Sequence, residues 1–262
     1  ERVRELFALK SNIQDGDRPL ESQGALAVKF NNVMFSYGDE TAALSGIDFH
    51  LEAGKVLGLL GRTGSGKSTM ARLLLRLYDP SSGRILLGGV PTSAAKLADL
   101  TRRVGLVPQE VQVFGATVRE NFTLFDPAIR DEKILAAIYE FELSSWFDSL
   151  PHGLDTELGP GGGLSAGQAQ LLNFARVALR GPGLVILDEA TSRLDLATEA
   201  LIDRATARLL KGRTGIIIAH RLHTVQKADM IMILESGAIQ EIGLRRELLA
   251  NPASRFSALL KT

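Results

Sequence analysis

Gly61-Arg62-Thr63-Gly64-Ser65-Gly66-Lys67-Ser68 fits G-x-x-x-x-G-K-[ST], the phosphate-binding loop. Before it, Val56-Leu57-Gly58-Leu59-Leu60 is an unbroken apolar run of the kind that fills a parallel strand buried on both faces. After it, residues 69–77 are good helix formers, and Asp79-Pro80 closes the helix. The motif thus stands between a strand and a helix, where its chemistry needs it. Its glycines let the backbone curl so that N–H groups converge on one anion, and the helix N-terminus adds the positive end of a dipole. Lys67 can reach β- and γ-phosphates, and the Ser68 hydroxyl can ligate Mg²⁺. Gly61, Arg62, Thr63, Gly64, Ser65, Gly66, Lys67, Ser68 and Thr69 are therefore the candidate phosphate-binding residues. The loop indicates a nucleoside triphosphate and leaves open which one.

The chain has 262 residues, with 30 Lys plus Arg against 30 Asp plus Glu. That length builds one large α/β domain or two small ones around a real core. The zero net charge argues against nucleic acid as a partner. The lack of cysteine excludes disulfides and thiolate-ligated zinc or iron–sulfur centres. No stretch approaches the roughly 18 apolar residues that span a bilayer, and no signal peptide is visible. The first residue is Glu1 and not methionine, so the sequence reads as a piece of a longer chain.

Turn residues and periodicity divide the rest. Val3, Leu6 and Phe7 have helical spacing, and residues 11–24, rich in turn formers, read as a linker. Residues 25–35, 46–51 and 83–89 read as strands, and 104–107 as a buried strand stopped by Pro108. From Gln109 the pattern turns helical, with segments at 118–122, 132–141, 145–150 and 166–179. Strand, helix and strand return at 184–187, 196–210 and 215–218. Residues 230–234 and 238–242 flank Glu235-Ser236-Gly237 as a hairpin, and short helices at 244–250 and 254–261 end the chain. The expected fold is α/β: a P-loop NTPase core with a mostly parallel sheet, an antiparallel β arm and an inserted helical subdomain. The expected bounds are a linker over 1–24, a core over 25–108 and 181–243, a helical subdomain over 109–180, and C-terminal helices over 244–262.

Leu184-Val185-Ile186-Leu187-Asp188-Glu189 is an apolar strand that ends in two carboxylates. Ligands of open α/β sheets sit at the carboxyl ends of strands. Asp188 can there hold Mg²⁺, directly or through water. Glu189 faces another way and can orient and deprotonate an attacking water. Leu164-Ser165-Ala166-Gly167-Gln168 opens the 166–179 helix, with Ser165 as its N-cap. Preceded by a Gly-rich loop, it is a second helix N-terminus able to cradle an anion. One γ-phosphate needs a single such cradle, so the second points to the nucleotide of another copy.

These three motifs, in this order and spacing, resemble the nucleotide-binding domain of an ABC transporter over residues 25–262. Leu164 to Gln168 is similar to the family's L-S-G-G-Q signature. The resemblance implies ATP and Mg²⁺ as ligands and ATP hydrolysis as the activity, with Lys67, Gln109, Glu189 and His220 as catalytic residues. It implies that Tyr37, in Phe-Ser-Tyr-Gly, stacks on adenine. Gln109, in Val-Pro-Gln-Glu, would meet Mg²⁺ beside Ser68 and Asp188 and link the core to the helical subdomain. Asp195 would communicate between opposed subunits, and His220 would contact the γ-phosphate. Ser165, Gly167 and Gln168 would close, head to tail, on the ATP of an identical second copy. Residues 114–121 and 155–159 resemble segments of the exporter branch, and 1–24 looks like the exit from a last transmembrane helix. The implied partners are a second ABC ATPase domain and the transmembrane domain of the same transporter, at the cytoplasmic face of a cell membrane. The sequence departs from the family at Ala166, where the signature has glycine, and at Ala169 and Leu171, where the family often has arginine. A soluble, non-transport ABC ATPase and an ATP-gated dimerisation module without turnover stand as alternative readings.

Overall fold

The computed structural model describes residues 13–20, 23–38, 41–159, 163–188, 196–219 and 222–260. Apolar runs without alternation become strands buried on both faces. β8 (Thr214–Ala219) is buried throughout, and β3 (Val56–Leu60) and β7 (Leu184–Asp188) nearly so. With β6 (Val104–Val107) and β9 (Met230–Glu235) they form a parallel array, to which β10 (Ala238–Leu244) adds an antiparallel edge. The order is β10-β9-β3-β8-β7-β6. The β9–β10 turn is Ser236-Gly237, with φ of 49° and 75°, the two positive values that a tight type I′ hairpin demands.

Side chains alternate across a strand, so each strand of the array feeds two cores. Leu57, Leu59, Leu184, Ile186, Ile216, Ile218 and Met232 enter one. Leu60, Val185, Leu187, Ile217, Ile231 and Ile233 enter the other. The first core is shared with α1 (Lys67–Leu74) and with an antiparallel sheet of β1 (Val28–Phe35), β2 (Leu44–Leu51), β4 (Ser82–Leu87) and β5 (Val90–Pro91), in the order β2-β1-β4-β5. The second is shared with α3 (Val118–Thr123), α4 (Asp131–Glu140), α6 (Ala166–Leu179) and α7 (Leu196–Leu210). α8 (Arg245–Ala250) and α9 (Arg255–Leu259) close the described chain. No helix among the described residues is long and apolar enough to cross a membrane.

Three local differences from the sequence expectation have physical causes. α1 stops at Leu74 and not near Leu77, because Arg76 turns into the left-handed region at φ 51° to reach Asp79. α5 (Ser144–Phe147) is shorter than the expected 145–150, since Pro151 pulls the preceding backbone out of the helix. α2 (Leu97–Arg103), absent from the sequence reading, is started from outside: Asp15 Oδ1 accepts from Leu97 N–H at 2.7 Å.

That last bond belongs to a strap. Residues 13–20, read as linker, are fastened to the domain. Arg18 N–H donates to Ala94 O and Lys96 N–H to Arg18 O, both at 2.9 Å, and Leu20 is buried. Arg76 holds the strap to the end of α1. Its buried guanidinium donates to Gln14 O (2.8 Å), Ser93 O (3.0 Å), Ala95 O (3.2 Å) and Asp79 Oδ1 (3.0 Å). Arg76→Ala removes these four hydrogen bonds, one of them to the buried Ala95 O, and should cost about 1–3 kcal/mol in urea unfolding; an unchanged midpoint would refute the strap's role in stability.

A second tie joins the end of α4 to α7. Glu142 accepts from Arg204 at 3.0 and 2.8 Å and pairs with Arg208 at 2.7 Å. The Arg204 hydrogen bond holds its carboxyl down to about 2, against an ordinary 4.5. A depressed carboxylate stabilises the fold above its unfolded pKa, and that contribution is lost as the pH falls through the folded value. Glu142→Gln should therefore flatten the fall in stability between about pH 4.5 and 2. Urea midpoints across that range check it, and an acid limb as steep as wild type would refute it.

Candidate nucleotide-binding site

The parallel ladder brings the chemistry to one edge. Leu60 pairs with Ala219, Ile218 with Asp188, and Leu187 with Val107. The carboxyl ends of β3, β8, β7 and β6 therefore lie side by side. From them emerge the phosphate loop, the chain toward His220, Asp188, and the Pro108-Gln109 bend. β8 separates β3 from β7, so Asp188 stands two strand spacings, about 10 Å, from the start of the loop.

The loop is held in shape from within. Lys67, 5% exposed, donates from Nζ to Gly61 O at 2.6 Å and to Arg62 O at 3.0 Å. Ser65 N–H donates to Arg62 O, and Ser65 O accepts from Gly237 N–H, both at 3.1 Å. Gly66 caps α1 at φ 107°, and a Cβ there would meet Ala43 O at 2.9 Å. Ser65 Oγ is buried with no hydrogen-bond partner among the described residues. Ser68 is exposed at the start of α1. A cleft of about 1340 Å³ opens on residues 61–65, walled by Ala219, Leu222, the β9–β10 turn and α9.

Tyr37 reaches the loop separately. Its hydroxyl donates to Thr69 Oγ1 at 3.3 Å and accepts from Arg72 Nη1 at 3.0 Å. Its ring meets Phe35 and Tyr78 edge-on, at 4.8 and 5.2 Å between centroids. The base-stacking candidate is thus anchored to the helix that carries the phosphate loop. Gln109 is exposed after Pro108, whose carbonyl accepts from Gln170 on α6 at 3.4 Å.

The signature forms a complete capping box on α6. Ser165 Oγ accepts from Gln168 N–H at 3.2 Å, and Gln168 Oε1 accepts from Ser165 N–H at 2.9 Å. Ser165 and Ala166 are exposed, so the Ala166 methyl meets no crowding in this chain. Gly167 is buried, and a Cβ on it would come within 2.6 Å of Thr198 Cγ2 on α7. Leu171 belongs to the second core, which explains an apolar residue at that position. Glu189, Asp195 and His220 lie outside the described residues.

The two segments of exporter character bond to each other. Val118 N–H donates to Thr156 O and Leu158 N–H to Ala116 O, both at 2.9 Å. Arg119 grips Asp131 with two bonds of 2.9 Å and also pairs with Asp155. Sequence reasoning missed two arginines at the site, Arg72 under Tyr37 and Arg176 within α6. Arg176 left a trace: Gln170, Asn173 and Arg176 recur every third residue in a helix that is apolar beyond its first turn, a polar stripe that buries.

The family model for ABC transporters matches residues 44–192. The chain belongs to the ABC transporter family. It is 42% identical over 246 residues to the ATP-dependent lipid A-core flippase of Ralstonia nicotianae, covering 90% of this chain and 40% of that protein. It is 38% identical over 252 residues to the uncharacterized ABC transporter ATP-binding protein YknV of Bacillus subtilis, covering 95% of this chain and 42% of that protein. The chain thus spans less than half the length of these relatives. The structure of a bacterial Atm1-family ABC exporter with ATP bound superposes on all of this chain and 46% of its own, with a TM-score of 0.87 and 32% identity. The fold is that of the ABC transporter ATP-binding domain, as its sequence implied.

The ABC signature glycine carries a packing test. Gly167→Ala forces α6 from α7 and should cost about 1–3 kcal/mol. Adding Thr198→Ser removes the opposing methyl and should recover most of the loss in the same unfolding assay. An equal loss in both backgrounds would mean that the Thr198 contact is not the cause.

Proposed function

We propose that this domain hydrolyses ATP to ADP and phosphate with Mg²⁺, and that two copies close head to tail over two ATP molecules to power export. The observation that carries this reading is the shared strand edge: phosphate loop, Asp188 and Gln109 emerge side by side, while the capped N-terminus of α6 stands exposed on the helical layer. Export follows from the 114–121 and 155–159 segments, bonded together here, and from the exporter and flippase among its relatives. In the full-length protein the partner is a transmembrane domain, and this domain lies at the cytoplasmic face of the membrane.

The residues suit the ligands. A loop wall with an orphaned hydroxyl on Ser65, a lysine and a helix N-terminus fits phosphate oxygens. Ser68, Gln109 and Asp188 are hard oxygen donors, and Mg²⁺ takes few protein ligands beside phosphates and water. The ion, when bound, neutralises charge on the β- and γ-phosphate oxygens. Lys67 adds a fixed cation there, and Tyr37 stacks on adenine. Ser165, Gly167 and Gln168 of the opposed copy present the α6 dipole to the γ-phosphate, and Asp195 contacts that copy. Gln109 and His220 orient water and γ-phosphate. Glu189 takes the proton as the water oxygen bonds to γ-phosphorus and the bond to the β-phosphate oxygen breaks, leaving ADP. The work is positioning and electrostatics.

Glu189→Gln keeps the shape and removes the base. Mg-ATP binding should survive, hydrolysis should fall by about 10²- to 10⁴-fold, and a stable dimer should elute from a sizing column with ATP but not with ADP. Lost turnover without a dimer would overturn the composite site. Near-normal turnover would overturn the assignment of the base.

A further inference from the structure

We propose that Arg176 is a positioning residue for hydrolysis. It clamps the loop that carries Gln109 to the helix that presents Ser165, so that the nucleotide of one copy and the cradle of the other are set together. This rests on the ATPase reading above.

Residues 108–117 have no regular structure, so their path depends on side chains that hold them. Two buried groups do this. Arg176 Nη1 donates to Gln112 O at 2.7 Å. Asn121, wholly buried on α3, donates from Nδ2 to Phe114 O (3.0 Å) and Ala116 O (3.2 Å) and accepts from Phe114 N–H (2.9 Å). Arg176 in turn holds Asn121, donating to its backbone O at 2.7 Å and its Oδ1 at 3.0 Å. A further bond reaches Asn173 Oδ1 at 3.1 Å, and the guanidinium lies 5.6 Å from the centre of the Phe114 ring. The side-chain grips on Gln112, Phe114 and Ala116 therefore run through Arg176, while Gln170 on the same helix holds Pro108.

Arg176 is only 6% exposed, and all its hydrogen-bond acceptors are neutral oxygens. Burial pulls its pKa down to about 10, so it stays charged at neutral pH. A buried cation without a carboxylate is a costly way to fill space; an apolar side chain of like volume would serve packing as well. The planar fork, however, meets three segments at once: its own helix, α3 and the loop. Lysine, a point donor on a flexible stem, cannot. Arg176 lies eleven residues beyond Ser165 on the same rigid helix, about 16 Å along the axis. Gln112 is three residues beyond Gln109. A shift of the cradle is thus passed to the middle of the loop through Arg176, beside the contact of Gln170 with Pro108.

The test uses the whole chain with Arg176→Met and Arg176→Lys, the second guarding against a first that fails to fold. ATP affinity by calorimetry should stay within about twofold, because the phosphate loop is untouched, while kcat falls by about 10²-fold for Met and less for Lys, the scale of a small misplacement far from the chemistry. Wild-type turnover in a folded variant, or affinity and kcat falling together, would overturn the proposal. A readout independent of turnover is hydrogen exchange. ATP should protect residues 109–117 and the first turn of α6 together in wild type, and separately in Arg176→Lys. Joint protection in the variant would refute the clamp even if hydrolysis were absent, whereas an inactive wild type would refute only the ATPase reading.

Discussion

The register of the parallel strands is the constraint on which the rest depends. Each strand between β9 and β6 is buried on both faces, and each divides its side chains between two cores. A slip by one residue would exchange the two sets, pressing Gly58 and Leu60 into the space shaped for Leu57 and Leu59. Register is therefore doubly specified, and with it the relative height of every loop at the carboxyl edge. Asp188 stands beside the phosphate loop because Ile218 pairs with it and Ala219 pairs with Leu60. Gly58 adds a further constraint. A Cβ there would meet Val225 at 2.7 Å, so its absence lets the turn after β8 lie against the strand that leads into the loop.

The helical layer is not a separate body hung on this edge. Phe122, Phe141 and Phe174 share one continuous core with Leu60, Val107 and Val185. The irregular stretch from Pro108 to Thr117 runs between the two layers, and apart from Val113, packed on the core, hydrogen bonds hold it. The contrast has a physical use. Interdigitated cores resist small displacements, whereas a loop held by hydrogen bonds to neutral oxygens can exchange partners at modest cost.

The site was legible where chemistry is local in sequence. The phosphate loop, Asp188 at the end of an apolar strand and the Ser165 cap each need neighbours a few residues apart, so their spacing is their geometry. The same held for the buried strands and for the Ser236-Gly237 hairpin. What escaped was set by partners distant in sequence. α2 begins where Asp15 caps it from 82 residues away, and Arg76, just past the end of α1, bonds Gln14, 62 residues away. The strap at 13–20 is polar and rich in turn formers, as linkers are, and apart from that of Asp15 its bonds at Gln14, Arg18 and Leu20 use backbone groups that every residue possesses. Arg176 lay hidden in an apolar helix, its partners 55 and 64 residues upstream.

Two buried arginines thus hold two joints, and their partners differ in kind. Arg76 has a carboxylate, Asp79, at 3.0 Å, together with three backbone carbonyls. Charge faces charge, and separating them would leave an ion unpaired in a poorly solvated place, a large penalty. Such a joint suits parts that move as one: strap, antiparallel sheet and phosphate-loop helix. Arg176 has only amide oxygens and an aromatic face. A water or another carbonyl can replace any one acceptor without stranding an opposite charge. The first joint is built to stay shut. The second, held by neutral acceptors, can exchange one of them at a lower cost.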